Sequence, residues 1–352
     1  MEQSLLDMFS RHFEPKWKKL QPVSHADAQT MIRAIIDDLG TGNTVRQIYY
    51  EGVRHSWWET DYVVKGGKND GKQKRNSFQR VSRWLTEMRT DGLVDYEEII
   101  EYGRPVTTYE VWLTGKDFLD EVEGMFRIDL WAYQPSYVEV WTEGEAIMPI
   151  VEAALRGLRV VKTANKGNTS TTAIRKSAMR LLAAVEQHVE IQYPDLYDDG
   201  LIDAYELPEG LVHVLYVGDH DAAGANMDVN IVERLRKHGE RRGEDFSCDL
   251  DEYIDAGVVQ FNRIAVTLEQ VDMYNLPPDS KPASKTSPTG KLYFERFGHR
   301  DTWAFEALPK QVAQDTIRDA VVALMDDDAW NRGDALEDAA LANTKKSGRL
   351  IG

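Results

Sequence analysis

Asp219 and Asp221 stand two residues apart, directly after an apolar, β-branched run at 211–217 that stops at Gly218. Residues i and i+2 of an extended segment point the same way, so the two carboxylates can face one point in space. Two hard anions at one point repel unless a cation sits between them, and Mg²⁺ takes such oxygens together with waters and substrate phosphates. The competing reading is a plain strand-end turn, where Gly and Asp serve the backbone alone. A second pair lies in Arg46-Gln47-Ile48-Tyr49-Tyr50, where Arg46 and Tyr50 are four apart and share one helix face. A deprotonated tyrosine is a nucleophile toward phosphorus, and a guanidinium beside it holds the developing charge. Adjacent helical tyrosines are more often core aromatics. Neighbours on a helix diverge by about 100°, so the spacing is read with Tyr49 inward and Tyr50 outward beside Arg46.

These pairs need a helical unit and an α/β unit to position them. Residues 1–23 carry apolar side chains at helical spacing and form an N-terminal extension. Residues 24–115 predict a helix over 26–39, a second helix capped by Asn43 or Thr44, a third over 77–90, and a short β-hairpin from 93–96 and 107–113. That is the order of a winged helix-turn-helix, whose last helix enters the major groove. Residues 116–136 read as a linker helix. Over 137–330, strands expected at 137–141, 158–161, 211–217 and 258–268 alternate with helices over 146–156, 174–188 and 226–235. Such alternation implies an α/β fold with a parallel sheet covered on both faces. A closing strand at 303–308 and a helix over 311–325 follow, and 331–352 reads as a flexible tail.

The chain has 352 residues, 42% hydrophobic and 29% charged, enough for two domains with their own cores. No apolar run approaches the length of a membrane span, and the acidic start, Met1-Glu2-Gln3-Ser4, is unlike a signal sequence, so a cytoplasmic protein with no membrane partner is expected. A single cysteine, Cys248, excludes intrachain disulfides and multi-cysteine zinc sites. The net charge is −17, yet residues 62–89 hold eight basic side chains against two acidic ones. A basic stripe on an acidic protein focuses a polyanion onto one face. Lys72, Lys74, Arg75, Arg80 and Arg83 are its candidate DNA contacts, with Lys166 in the 165–172 loop; a solvated lysine-rich loop is the bland alternative.

Arg-x-x-Tyr-Tyr on a winged-helix unit, followed by an acidic α/β unit, resembles the A subunit of topoisomerase VI and its meiotic double-strand-break relatives. It is closest in style to compact stand-alone versions on phages and other mobile elements. Trp303-Ala304-Phe305-Glu306-Ala307-Leu308 is similar to a late Glu-Ala-Leu segment of that family. The resemblance implies a Toprim-like domain in which Glu143 joins Asp219 and Asp221 as Mg²⁺ ligands, with Mn²⁺ as a substitute metal. It implies Tyr50 as nucleophile, Arg46 as its charge partner, a 5′-phosphotyrosyl link and a type IIB double-strand break. It also implies a homodimer in which each tyrosine meets the partner chain's metal site. No Gly-x-x-x-x-Gly-Lys-Ser/Thr loop is present, so ATP-driven strand passage would need a separate ATPase subunit.

Two other readings stay open. One is a hydrolytic Toprim nuclease of a defence or mobile-element system, with Tyr50 structural. The other is a non-catalytic DNA-binding protein that uses the α/β unit as a platform.

Overall fold

The computed structural model describes residues 25–55, 57–58, 77–99, 111–164, 171–196, 203–239, 248–279 and 281–348. Its first unit is built on three helices. α1 (His25–Leu39) buries Ile32, Ile35 and Ile36, and Gly40 closes it at φ 72°, a backbone that favours glycine. α2 (Val45–Arg54) opens with a reciprocal cap. The Thr44 hydroxyl accepts from the Gln47 amide at 3.2 Å, and the Gln47 side-chain oxygen accepts from the Thr44 amide at 2.9 Å. α3 (Ser77–Thr90) buries Val81, Trp84, Leu85 and Met88 against them. Trp58 seals this core, and its indole donates to the Tyr49 carbonyl at 2.7 Å. That closure requires Gly52, because a Cβ there would lie 1.9 Å from the Trp58 ring.

The expected wing differs from the sequence reading. Residues 93–96 form no strand; the Asp95 side chain caps a 3₁₀ turn, Tyr96–Glu98, and Arg33 grips Glu98 at 2.6 and 2.9 Å. Local capping by an acidic side chain outcompetes a ladder here. Of the second expected strand, 107–110 lie outside the described residues and 111–113 are not strand.

α4 (Gly115–Met125) leads to the second unit. There β1 (Tyr137–Thr142), α5 (Met148–Ala154), β2 (Val161–Ala164), α6 (Thr171–Gln192), β3 (Val212–Val217), α7 (Gly224–His238), α8 (Leu250–Asp255), β4 (Val259–Ala265), α9 (Leu268–Met273), α10 (Pro288–Phe297), α11 (Lys310–Val322) and α12 (Asp327–Gly348) follow in order. The four strands form one parallel sheet in the order β2-β1-β3-β4. β3 is buried along its whole length, as a run that is apolar but for His213 requires in a sheet covered on both faces. On one face Val140, Leu215 and Val217 pack with Val151, Ile317 and Val321 of α5 and α11. On the other, Trp141, Val214 and Tyr216 meet Leu181 and Val185 of α6 and Leu235 of α7. The chain is therefore an α/β protein with a parallel sheet.

Three boundaries move. β2 begins at Val161 rather than 158, because Arg159 sits at φ 53°, which extended backbone does not allow. Residues 303–308 give one antiparallel bridge, Trp303 to His220, and then a 3₁₀ turn, Phe305–Ala307, instead of a strand. Of the expected flexible tail, 331–348 are helical in α12, and 349–352 lie outside the described residues. Glu337 anchors it, accepting from Arg159 at 2.5 and 2.8 Å and from the Ile128 amide at 2.7 Å. Among the described residues no helix is long and apolar enough to cross a membrane.

Candidate active site

Parallel pairing of β1 with β3 brings both carboxyl ends to one edge of the sheet, where α/β proteins build sites. The Glu143 amide continues the ladder to the Val217 carbonyl at 3.0 Å, and the Glu143 carboxylate accepts from the Asp219 amide at 3.0 Å. Asp219 lies half-buried beneath the 3₁₀ turn and accepts from the Phe305 amide at 2.8 Å. Asp221 accepts from the Ala223 and Gly224 amides, at 2.8 and 2.6 Å, at the start of α7. Gly224 is required at this point, since a Cβ would lie 2.3 Å from the Asp219 carbonyl and 2.8 Å from Glu143 Oε2.

The helical unit enters the same cluster. The Tyr50 hydroxyl donates to Asp279 Oδ1, and Arg46 Nη1 lies 3.8 Å from the buried Glu306 Oε2. Burial raises the Tyr50 phenol far above its ordinary value, and the Asp279 charge adds to the rise. Burial also raises Asp279, Glu306, Glu143 and Asp219; the last two rise further through neighbouring acids, Asp221 against Glu143 and Glu306 against Asp219. Arg46 pulls Glu306 the other way, but burial outweighs it. The site is thus a pool of carboxylates whose negative charge is under-compensated.

The outward reading of Tyr50 is corrected. Tyr49 and Tyr50 are both buried, 4% and 5% exposed, with their rings edge to face at 5.0 Å. The wall that covers Tyr50 comes from Asp279, more than 200 residues away in sequence, so helix periodicity alone could not reveal it. Arg46 is the half-exposed member of the pair.

Glu143, Asp219 and Asp221 present hard oxygens, and their crowded charge is what a divalent cation would neutralise, so the donor chemistry fits Mg²⁺. As folded, each carboxylate is tied to a backbone amide, and among the described residues no three acids, histidines or cysteines close a coordination shell. His220, between the two aspartates, points away into a ring cluster with Tyr293, Phe297, His299 and Trp303.

Of the candidate DNA contacts, Arg83 is exposed, with its Nε 3.8 Å from Glu87, and Arg80 lies over the Trp84 ring at 4.9 Å. Lys72, Lys74, Arg75 and Lys166 lie outside the described residues. Two contributors carry no mark in the sequence pattern. One is Asp279. The other is Arg263 on β4, whose guanidinium donates to the Gly218 and Asp219 carbonyls at 3.2 Å each and to the Gly224 carbonyl.

Comparison of the chain with known protein families, with curated proteins and with solved structures found no match.

Proposed function

We propose that this chain is a cytoplasmic, metal-dependent DNA-cleaving transesterase resembling the A subunit of topoisomerase VI. In that reading residues 24–115 act as a winged helix-turn-helix and residues 137–330 as a Toprim-like domain. One observation carries it: Tyr50 donates to Asp279 and Arg46 lies 3.8 Å from Glu306, on the turn whose Phe305 amide holds the strand-end Asp219.

The Tyr50 oxygen attacks a backbone phosphorus, and its proton passes to the Asp279 carboxylate that already accepts it. A bond forms between Tyr50 and the 5′-phosphate, the bond from phosphorus to the 3′-oxygen breaks, and that oxygen takes a proton from water. Arg46 pairs with the phosphate as charge builds. Glu143, Asp219 and Asp221 would hold Mg²⁺, which supplies Lewis-acid stabilisation of phosphoryl oxygens when bound. Tyr50 must be uncovered for DNA to reach it, and a homodimer that exchanges helical units between sites supplies a way. Two tyrosines related by a two-fold axis also account for cutting both strands.

The burial of Tyr50 favours a second reading, a hydrolytic nuclease that uses the same acids with Tyr50 structural. Supercoiled plasmid incubated with Mg²⁺ or Mn²⁺, quenched with denaturant and run with and without protease, separates the two. The transesterase gives linear DNA that carries protein, lost in Tyr50→Phe. Free ends that persist in Tyr50→Phe would establish the nuclease instead.

A further inference from the structure

Residues 281–300 carry five cations, Lys281, Lys285, Lys291, Arg296 and Arg300, against one acid, Glu295, on a chain of net charge −17. The segment is a folded strap. The Ala283 amide donates to the Arg300 carbonyl at 2.7 Å and closes its base. Inside it the Ser284 hydroxyl accepts from the Thr286 and Ser287 amides at 3.2 Å, and Ser287 caps α10 by accepting from the Gly290 amide at 3.1 Å. Arg300 ties the turn together by donating to the Ser284 and Gly290 carbonyls, at 3.0 and 3.2 Å. Tyr293 is buried beneath, its hydroxyl on the Asp301 carbonyl at 2.7 Å.

The strap is fixed beside the acid cluster at both ends. Before it stands Asp279, the acceptor of the Tyr50 hydroxyl, whose own amide donates to the Thr302 carbonyl at 2.7 Å. After it stands Trp303, bridged to His220 between the two aspartates. Lys281, Lys285 and Lys291 are all exposed. Among the described residues none of the three forms an ion pair.

We infer that this strap is a second nucleic-acid surface, distinct from α3, that grips the sugar-phosphate backbone of duplex DNA next to the acid cluster. Its cations are spread over an exposed platform rather than gathered in a cavity, which suits a repeating polyanion better than a small anion. Duplex DNA presents one charge per about 1.7 Å of axis, and backbone contacts of this kind fix register without reading sequence. The inference rests on the DNA-binding part of the function proposed above and does not need the tyrosine chemistry.

The test is the salt dependence of binding to a short duplex in EDTA, where cleavage is off. The full chain is compared with the triple variant Lys281→Gln, Lys285→Gln, Lys291→Gln and with the same positions changed to Arg. Each lysine on a phosphate contributes about 0.9 to the slope of log affinity against log salt, so the Gln variant should be shallower by about 2 to 3. The Arg variant should keep the wild-type slope, and all three proteins should share one thermal midpoint. A Gln variant that keeps the wild-type slope overturns the strap while leaving DNA binding intact. A wild-type chain that binds no duplex overturns both the strap and the function it rests on.

Discussion

Tyr50 and Asp279 form the contact on which the proposed chemistry turns. A phenol raised by burial and by a neighbouring carboxylate keeps its proton at neutral pH, so attack on phosphorus needs an acceptor in place at the moment of bond formation. In the proposed mechanism Asp279 is that acceptor, and burial raises it above the ordinary aspartate range, which makes it a stronger base. Only its ionised form can take the proton, so cleavage should rise with pH through the raised Asp279 value. Asp279→Asn, which keeps the hydrogen bond but not the basicity, should slow cleavage by at least about 10²-fold and remove that acidic limb. A pH–rate profile of the variant that keeps the limb would assign it to another group. The sequence marked Tyr50, Arg46 and the paired aspartates because their chemistry shows in spacing. It could not mark Asp279, which sits in a Pro- and Ser-rich stretch with no periodicity and meets Tyr50 only through tertiary packing.

At the level of elements, β1 and β3 were legible because a fully buried parallel strand must be largely apolar, and β3 is but for His213. The exception within β1 is informative. Glu139 is fully buried yet accepts from Arg180 at 2.6 and 2.7 Å, from the Trp141 indole at 2.7 Å and from the Tyr137 hydroxyl at 2.9 Å. Arg180→Leu would strand that charge and should destabilise by about 3 kcal/mol, the low end of the usual range because Arg180 is itself partly exposed. Denaturant unfolding of Arg180→Leu beside the double variant Glu139→Leu, Arg180→Leu checks this. The double should recover much of the loss, and a double as unstable as the single would mean the pair itself is favourable. The wing, the start of β2 and the tail were not legible for a shared reason. Each is decided by a capping acid, a left-handed residue or a long-range ion pair, at Asp95, Arg159 and Glu337, and none of these leaves a trace in hydrophobic periodicity.

Across the whole molecule, the helical unit is locked onto the sheet by few but specific ties. Lys310 donates to the Leu39 and Thr41 carbonyls and to Asn43, at 3.3, 3.0 and 2.9 Å, Arg54 donates to the Ala307 carbonyl at 2.9 Å, and Ala304 and Ala307 complete the helical core. The turn that carries Glu306 and covers Asp219 is therefore also the seam between the units, and it places Arg46 within 3.8 Å of Glu306 beside the strand-end Asp219. A net charge of −17 repels DNA at long range, so the proposed binding would rest on the two basic surfaces, α3 and the strap. The most direct measurement is to incubate the chain with Mg²⁺ and a duplex internally labelled with ³²P, digest with trypsin and nuclease, and identify the labelled peptide by mass. Label is expected on the peptide that contains Tyr50, joined through a 5′-phosphate. Cleaved duplex with all label in free DNA ends, or label joined to a different residue, would contradict it.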